Sequence, residues 1–250
     1  MSPRNGSSEA PSPPTGRPTA SGSSERRQRR RRSPARRLFR FDRDLGVRFV
    51  AGADEAGRGS LAGPLVAAAV LFDYERLTSR DVRQLSALND SKQQTPEARE
   101  ALYPVVLRTA ARAVIVSRCV RRIDSRGLHN TNLAALSEAL ARVARPGCVC
   151  LSDGFPVPSV GHRQQAVING DARSAAIAAA SILAKVTRDR YMHRADVLHP
   201  GWEFAAHVGY ATPEHRAAIE ARGVSPLHRL SFQSAAYQQL GLEAFELVGD

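Results

Sequence analysis

Two short apolar runs, residues 47–53 and 64–72, restrict the fold more than any other feature of the chain. Both have the length of a β-strand, and the segment between them contains Gly57, Gly59 and Gly63. Apolar runs of this length, separated by a glycine-rich turn, are typical of adjacent strands. The sequence therefore predicts two strands here, joined as a hairpin.

Helical and strand patterns then alternate along the chain. Four segments have helical character: one that begins near Pro96 with Thr95 as N-cap, and residues 132–144, 172–195 and 213–222. Further strands are predicted at residues 113–120, 148–152 and 166–168. Strands grouped early and then alternating with helices predict an α/β domain over residues 45–240, with a mixed β-sheet flanked by helices and a helical C-terminal portion.

The N-terminal segment differs from this domain in composition. Residues 1–44 are rich in Arg, Ser and Pro, and residues 1–43 contain twelve arginines against three acidic residues, which is +9 of the net charge of +12. A segment with so few large apolar groups predicts a disordered arm. Its arginines can attract phosphates or merely keep the chain in solution, and a transit peptide fits less well because the arginines cluster. Residues 241–250 are expected to form a short tail.

Cysteine usage and hydropathy bear on the compartment. Cys119, Cys148 and Cys150 contain no C-x-x-C pair, which favours buried thiols over a metal or redox site. No stretch approaches the roughly 18 apolar residues of a membrane span. We therefore expect a cytoplasmic protein without a membrane partner. A monomer is expected as well.

Four acidic residues lie where predicted strands end or helices begin: Asp54, Glu55, Asp153 and Asp171. Carboxylate oxygens suit Mg²⁺ and Mn²⁺, and two such ions about 4 Å apart can activate water and spread charge in phosphodiester hydrolysis. Each residue also has an ordinary explanation, as solvated surface, a turn residue or a helix N-cap.

The adjacent pair Asp54 and Glu55 raises a geometric question. Neighbours on a strand point to opposite faces, so we expect the strand to break there, beside Gly57 and Gly59. Asp189 is excluded from the set, because eighteen helical residues place it roughly 27 Å from Asp171. We expect it to be a solvated or helix-pairing charge.

The turn Gly57-Arg58-Gly59 does not match a nucleotide-binding loop, because no G-x-G-x-x-G pattern and no Walker lysine follows it. Its glycines allow main-chain amides to approach a ligand closely, and Arg58 can contact phosphate. His207, His215 and His228 do not predict a zinc site, since no Cys or acid completes a tetrahedral set at the usual spacing.

Seven blocks in order make the chain resemble bacterial ribonuclease HII, the type 2 ribonuclease H family, over about 190 residues. They are Gly52-Ala-Asp54-Glu55-Ala-Gly57-Arg58-Gly59, Leu88-Asn-Asp90-Ser91-Lys92, Ser152-Asp153-Gly154, Gly170-Asp171-Ala-Arg173, Ala180-Ser181-Ile-Leu-Ala-Lys185-Val-Thr-Arg188-Asp189, Gly209-Tyr210-Ala-Thr212 and His228-Arg229-Leu-Ser-Phe232. Type 3 enzymes resemble it less, because they carry a structured N-terminal substrate-binding domain and usually a Glu at the position of Asp171.

The resemblance implies a ribonuclease H-like fold and an endoribonuclease acting on RNA/DNA hybrids and on duplex DNA that contains ribonucleotides. It implies that Asp54, Glu55, Asp153 and Asp171 hold two Mg²⁺ or Mn²⁺ ions, and that cleavage 5′ to the ribonucleotide leaves 3′-hydroxyl and 5′-phosphate ends. Substrate contacts are implied for Gly57, Arg58, Gly59, Tyr210, Ser91, Lys92 and Lys185. The first three would contact the 2′-hydroxyl that distinguishes RNA from DNA, and Tyr210 would pack on the next sugar.

Two positions depart from the family pattern, Asn169 in place of a frequent lysine and Ala178 in place of a frequent serine. Neither is one of the acidic residues. A non-catalytic nucleic-acid-binding protein that uses its arginine arm, and a different metal-dependent nuclease, are the alternative functions.

Overall fold

The structure, a computed structural model, describes residues 34–88, 94–158, 160–232 and 237. The strands of the described part are β1 (Phe49–Ala56), β2 (Leu65–Asp73), β3 (Arg112–Arg118), β4 (Val149–Asp153) and β5 (Arg163–Val167). The helices are α1 (Pro34–Arg43), α2 (Ser79–Gln84), α3 (Pro96–Thr109), α4 (Val120–Arg126), α5 (Leu128–Val143), α6 (Ala175–Leu198), α7 (Phe204–His207) and α8 (Pro213–Arg222), and Gly170–Ala172 forms a 3₁₀ helix.

The strands form one sheet of order β3-β2-β1-β4-β5. β1 pairs antiparallel with β2, and β2 with β3, whereas β4 runs parallel to β1 and β5 parallel to β4. Every residue of β2 is buried, which explains its continuous apolar run. The predicted hairpin and mixed sheet are thus confirmed.

Helices cover both faces of this sheet, as predicted. On one face α6 passes so close to β1 that a Cβ atom on Gly52 would lie 2.3 Å from the backbone of Ala176. Only glycine permits that approach. On the other face, Leu136 and Leu140 of α5 pack in a cluster that includes Ala51 and Ala53 of β1. α7 and α8 make up the predicted helical C-terminal portion.

The predicted N-cap of the helix at Pro96 is confirmed. Thr95 caps α3, with its hydroxyl accepting the Ala98 N–H, and Pro96 occupies the first turn. α8 begins at Pro213 and is followed by Gly223, whose φ is 76°.

Strand β5 begins at Arg163, earlier than predicted, because an edge strand tolerates the exposed polar residues Arg163 and Gln164.

The predicted arm is wrong over residues 34–43, which form α1. Ala35, Leu38 and Phe39 are buried against the core, a helical spacing that the surrounding arginines obscure in the sequence. Asp42 fixes the helix by accepting hydrogen bonds from Tyr74 Oη (2.7 Å) and Ala176 N (2.9 Å). Burial raises the pKa of Asp42 to about 6. The arm over residues 1–33 and the tail 241–250 lie outside the described residues.

Candidate active site

Three of the four predicted acids lie at the carboxyl ends of neighbouring parallel strands. Ala53 of β1 pairs with Ser152 of β4, so Asp54 and Asp153 follow at adjacent positions of the same sheet edge. Asp171 lies in the 3₁₀ helix that follows β5. We call Asp54, Glu55, Asp153 and Asp171 the acidic edge.

Asp171 is joined to the other acids through Gly170. The N–H of Gly170 donates to Asp153 Oδ1 at 2.6 Å, and a Cβ at residue 170 would lie 3.1 Å from that oxygen and 2.5 Å from Ile177. The preceding residue, Asn169, has a φ of 52°, a conformation that asparagine tolerates better than most residues. This tight turn brings Asp171 beside the end of β4.

The helix after Asp171 begins later than predicted. α6 starts at Ala175, and its N-cap is Ser174, whose hydroxyl accepts the Ile177 N–H at 3.3 Å. The N-cap explanation for Asp171 is therefore wrong, and its buried carboxylate belongs to the acidic edge.

The expected break of the strand at Asp54 and Glu55 is also wrong. β1 continues through both residues to Ala56, with Asp54 opposite Ala68 and Glu55 opposite Ala67 in the ladder. Neighbouring side chains of a strand point to opposite faces, but these two lie at the last positions of β1, where the charge of Glu55 still acts on Asp54 and both remain at the acidic edge. β1 ends at Ala56, immediately before Gly57, so the glycines end the strand rather than bending it at the acids.

Burial, and then mutual repulsion, govern the electrostatics of Asp54 in the acidic edge. The pKa of Asp54 is well above its ordinary value, first because the carboxyl is buried and then because Glu55 and Asp153 add negative charge nearby. A hydrogen bond from Ser181 on α6 and another from the Glu55 N–H (2.7 Å) counteract this only in part. A cation would relieve the repulsion.

The donor chemistry of the acidic edge fits Mg²⁺ or Mn²⁺, since all four side chains offer hard oxygen ligands. Within the described residues, no three His, Cys, Asp or Glu side chains are grouped as ligands of one ion. Some carboxylate oxygens instead bind backbone amides, as Asp153 Oδ1 binds Gly170 N. Holding an ion would thus require these side chains to reorient.

The turn Gly57–Gly59 begins one residue beyond the end of β1. Gly57 has a φ of 87°, and a Cβ there would lie 2.0 Å from Arg188 Nε. Gly59 is exposed, and a Cβ there would meet nothing within 4 Å. The Arg58 guanidinium lies 4.5 Å from the ring centroid of Phe155, two residues after Asp153. Stacking of this kind leaves the N–H groups at the guanidinium edge available to phosphate.

Tyr210 is half-buried beside two cations of α6. Lys185 Nζ lies 5.4 Å from its ring centroid, and the Arg188 guanidinium lies 5.5 Å from it. Lys185 also donates to Asp189 at 2.7 Å, and Asp189 lies 3.5 Å from Arg99. The assignment of Asp189 as a helix-pairing charge is confirmed.

Three buried histidines support the segment that carries Tyr210. His207 Nδ1 accepts the Gly209 N–H at 3.1 Å, which leaves its proton on Nε2, 2.7 Å from the Trp202 carbonyl oxygen. His215 Nδ1 lies 2.8 Å from the Tyr210 carbonyl oxygen and must donate to it. Backbone partners thus fix the tautomers of both rings.

The third ring completes the chain of hydrogen bonds. His228 Nδ1 accepts the Ser225 N–H at 2.8 Å, so its Nε2 donates to the bare Nε2 of His215 at 3.1 Å. Burial lowers the pKa values of His215 and His228 to about 4. All three rings are hydrogen-bonded to backbone, and His215 is also bonded to His228, so these contacts account for the histidines without zinc.

Sequence reasoning missed Ser181, Arg188 and Arg229 as parts of the site. Ser181, Lys185 and Arg188 are spaced i, i+4 and i+7 on α6 and so lie on one helix face. For the residues of α6 the available signal was Ser181 within the apolar first half of the helix, with Lys185 and Arg188 following on the same face. The predicted substrate contacts Ser91 and Lys92 lie outside the described residues.

A family model described as Ribonuclease HII matches residues 51–235, which contain every residue of the acidic edge. The chain belongs to the ribonuclease HII family. It is 48% identical over 218 residues to a ribonuclease HII of Rhizobium johnstonii, covering 87% of this chain and 92% of the relative. A ribonuclease HII of Nocardia farcinica is 48% identical over 202 residues, covering 80% of this chain and 78% of the relative.

Solved structures agree with the fold. The ribonuclease H2 of Pyrococcus horikoshii superposes with a TM-score of 0.66 at 24% identity, covering 78% of this chain and 98% of the other. The Bst-RNase HIII crystallised with Mn²⁺ gives a TM-score of 0.60 at 18% identity, covering 82% and 71%. The chain thus has a ribonuclease H-like fold, and membership of the ribonuclease HII family makes it a hydrolytic endoribonuclease. In the described part, no helix has the length and hydropathy of a membrane span.

Proposed function

We propose that this enzyme hydrolyses the phosphodiester 5′ to a ribonucleotide, both in RNA/DNA hybrids and at single ribonucleotides within duplex DNA, leaving 3′-hydroxyl and 5′-phosphate ends. The observation that carries the proposal is the position of the Gly57–Gly59 turn directly after the strand that carries Asp54 and Glu55. The turn that would contact the ribose thereby directly follows the carboxylates that would bind the ions for cleavage.

In this proposal Asp54, Glu55, Asp153 and Asp171 hold two Mg²⁺ or Mn²⁺ ions. Such ions supply an activated water and neutralise the charge that develops on the phosphate. The protein contributes the spacing of the carboxylates, since β1 and β4 are paired and Gly170 ties the Asp171 turn to Asp153. Ser181 orients Asp54 by hydrogen bonding to its carboxylate.

Recognition of the sugar is assigned to the turn and to Tyr210. The exposed backbone at Gly59 has room for a ribose to approach, and its amide is a donor that a 2′-hydroxyl can satisfy. Tyr210 offers an aromatic face for the next sugar, and Lys185 beside it is a contact for a phosphate. Arg58, Ser91 and Lys92 are proposed to contact phosphates as well.

We propose a monomer that acts in the cytoplasm. Support for a reducing compartment comes from Cys148 and Cys150, which are buried in the core on β4, where a free thiol packs as a small apolar side chain.

The deciding experiment uses a duplex of DNA with one internal ribonucleotide and a matched all-DNA duplex. We expect a single nick at the 5′ side of the ribonucleotide in the presence of Mg²⁺ or Mn²⁺, and none after chelation or in the all-DNA duplex. A ladder of products that starts at the duplex ends would indicate an exonuclease. Tight, salt-sensitive binding without any product would indicate a non-catalytic binding protein.

A further inference from the structure

Two arginines of the core, Arg188 and Arg229, are completely buried. No ion pair within 4.0 Å joins either of them to a carboxylate of the described residues. Burial lowers the pKa of Arg229 to about 9 and also lowers that of Arg188. Placing two guanidiniums without a carboxylate partner in a core is unfavourable unless hydrogen bonds to the protein replace their lost hydration.

Every hydrogen bond that these guanidiniums make to the described residues goes to a main-chain carbonyl. Arg188 donates to Pro64 (3.0 Å), Ala62 (2.9 Å) and Val208 (2.8 Å). Arg229 donates twice to Gly63 (3.0 and 2.8 Å) and once to Arg58 (3.1 Å). The accepting carbonyls belong to two segments, residues 58–64 and residue 208.

These segments carry the two elements to which recognition of the sugar is assigned. Residues 58–64 continue from the Gly57–Gly59 turn, and Val208 is two residues before Tyr210. Arg188 binds both segments and also lies under the Tyr210 ring. A backbone bond from Leu61 N to Gly209 O (2.8 Å) joins the same segments. Arg188 therefore fixes the separation between the turn and the tyrosine.

The bond from Arg229 to Arg58 sets the direction of one peptide group. In a trans peptide the C=O and the following N–H point in opposite directions. Because the Arg58 carbonyl points inward to the buried Arg229, the N–H of Gly59 points away from the core, toward its exposed side. Arg229 thus aims a donor at the place where the proposed 2′-hydroxyl contact occurs.

We propose that Arg188 and Arg229 are positioning residues for ribonucleotide selectivity, with Arg229 aiming the Gly59 amide and Arg188 holding Tyr210 at a fixed distance from it. This rests on the proposed function, in which the turn and Tyr210 read the substrate. Arginine suits the task because its planar fork carries five donors, whereas lysine has one charged nitrogen and cannot bind carbonyls of both segments in the same geometry.

The test measures binding, with Ca²⁺ replacing the catalytic ion, of a duplex with one ribonucleotide and of the all-DNA duplex. Selectivity is the Kd of the all-DNA duplex divided by the Kd of the duplex with one ribonucleotide. This ratio does not fall merely because a folded variant is less stable. We expect Arg229→Lys to reduce this ratio about tenfold, the effect of one hydrogen bond, while the Kd of the all-DNA duplex stays unchanged. Arg188→Lys should reduce it in the same direction.

Arg48→Lys is the matched control, because Arg48 makes a two-bond pair with Asp73 at the opposite end of the sheet. It should leave the ratio at the wild-type value. Thermal unfolding identifies the variants that are folded at the assay temperature. If one of the two arginine variants does not fold, the other still tests the proposal. A wild-type ratio in folded Arg229→Lys or Arg188→Lys would overturn the proposal. If the wild type neither prefers nor cuts the ribonucleotide duplex, the proposed function fails instead.

Discussion

Sheet pairing holds the acidic edge in place, whereas buried side chains hold the Gly57–Gly59 turn and Tyr210. Asp54 and Asp153 owe their proximity to the parallel ladder between β1 and β4. The turn and Tyr210 lie on irregular backbone, whose carbonyls bind Arg188, Arg229 and His215. One half of the site thus depends on regular backbone pairing and the other on individual side chains.

The two halves also differ in what their native arrangement costs. At the acidic edge, burial and then the neighbouring negative charges raise the pKa of Asp54, so an arrangement with ionised carboxylates opposes stability unless a cation compensates it. We call the Gly57–Gly59 turn and Tyr210, with the side chains that hold them, the recognition half. Its unfavourable charges are the buried guanidiniums of Arg188 and Arg229, which main-chain carbonyl dipoles compensate. Substitutions should therefore have opposite effects on stability in the two halves, and the following experiments examine that difference.

The largest effect is expected at the acidic edge. Asp54→Asn or Asp171→Asn should lower kcat by about 10³-fold, because a neutral amide is a poor ligand for the ions that activate water. Asp54→Asn should also leave the Tm unchanged or raise it, since it removes a buried, repelled carboxylate. Steady-state cleavage of the single-ribonucleotide duplex and thermal unfolding measure the two effects.

Asp196→Asn is the control for this pair, since Asp196 lies on α6 outside the acidic edge. It should retain wild-type kcat. Wild-type cleavage by Asp54→Asn would remove that residue from the catalytic set, and a large loss of Tm would show that its carboxylate is structural.

The two glycines of the turn should separate folding from recognition. Gly57→Ala is expected to destabilise the protein by about 2 kcal/mol or more, because φ is 87° and the new Cβ would meet Arg188. Gly59→Ala has open space and should fold normally. We expect it nevertheless to lose kcat/KM by about 10²-fold, because the methyl group would keep the ribose from the backbone.

Urea unfolding measures the stability of both variants, and cleavage kinetics measure their kcat/KM. Full activity in Gly59→Ala would contradict close approach of the substrate at that residue. An equal loss of stability in both variants would mean that glycine serves only the turn.

The acidic edge was largely predictable from the sequence, and its support was not. Local pattern indicates the apolar strand runs and the acids that follow them. Once those strands pair in parallel, the acids meet at one edge of the sheet. Where α6 packs decides that Ser174, and not Asp171, caps this helix. Pairing with β2 decides that β1 continues through Glu55. α1 was missed because arginines hide the spacing of Leu38 and Phe39. Hydrogen bonds from a buried arginine to distant carbonyls leave no local pattern at all.

A smaller effect is expected at Tyr210. Tyr210→Ala should reduce kcat/KM for a single embedded ribonucleotide about tenfold, as an aromatic contact with the sugar is lost, with a smaller effect on Tm. Tyr210→Phe keeps the ring and is the matched control, so it should remain near wild type. If Ala lowers activity and stability in equal proportion, the tyrosine is a packing residue and the recognition half is smaller than proposed.

The smallest effect concerns pH and the histidines behind Tyr210. Burial lowers the pKa values of His215 and His228 from 6.5 to about 4. The unfolded chain therefore binds protons first as the pH falls from about 6.5 to about 4, and stability is lost over that range, by up to about 3 kcal/mol for each ring. Asp42, with a pKa raised to about 6, acts in the opposite direction between about pH 6 and 4, because there the folded state holds the proton.

The contribution of one ring is isolated by comparing wild type with His228→Gln, since glutamine can accept from Ser225 N and donate to His215 without titrating. The pH dependence of the unfolding free energy, measured in urea, should differ between them by about one proton over this range. Identical slopes would mean that His228 is not held neutral by its neighbours. A lower slope accompanied by a lower activity at neutral pH would instead show that the ring also sets the position of Tyr210, and would tie the stability of the recognition half directly to its function.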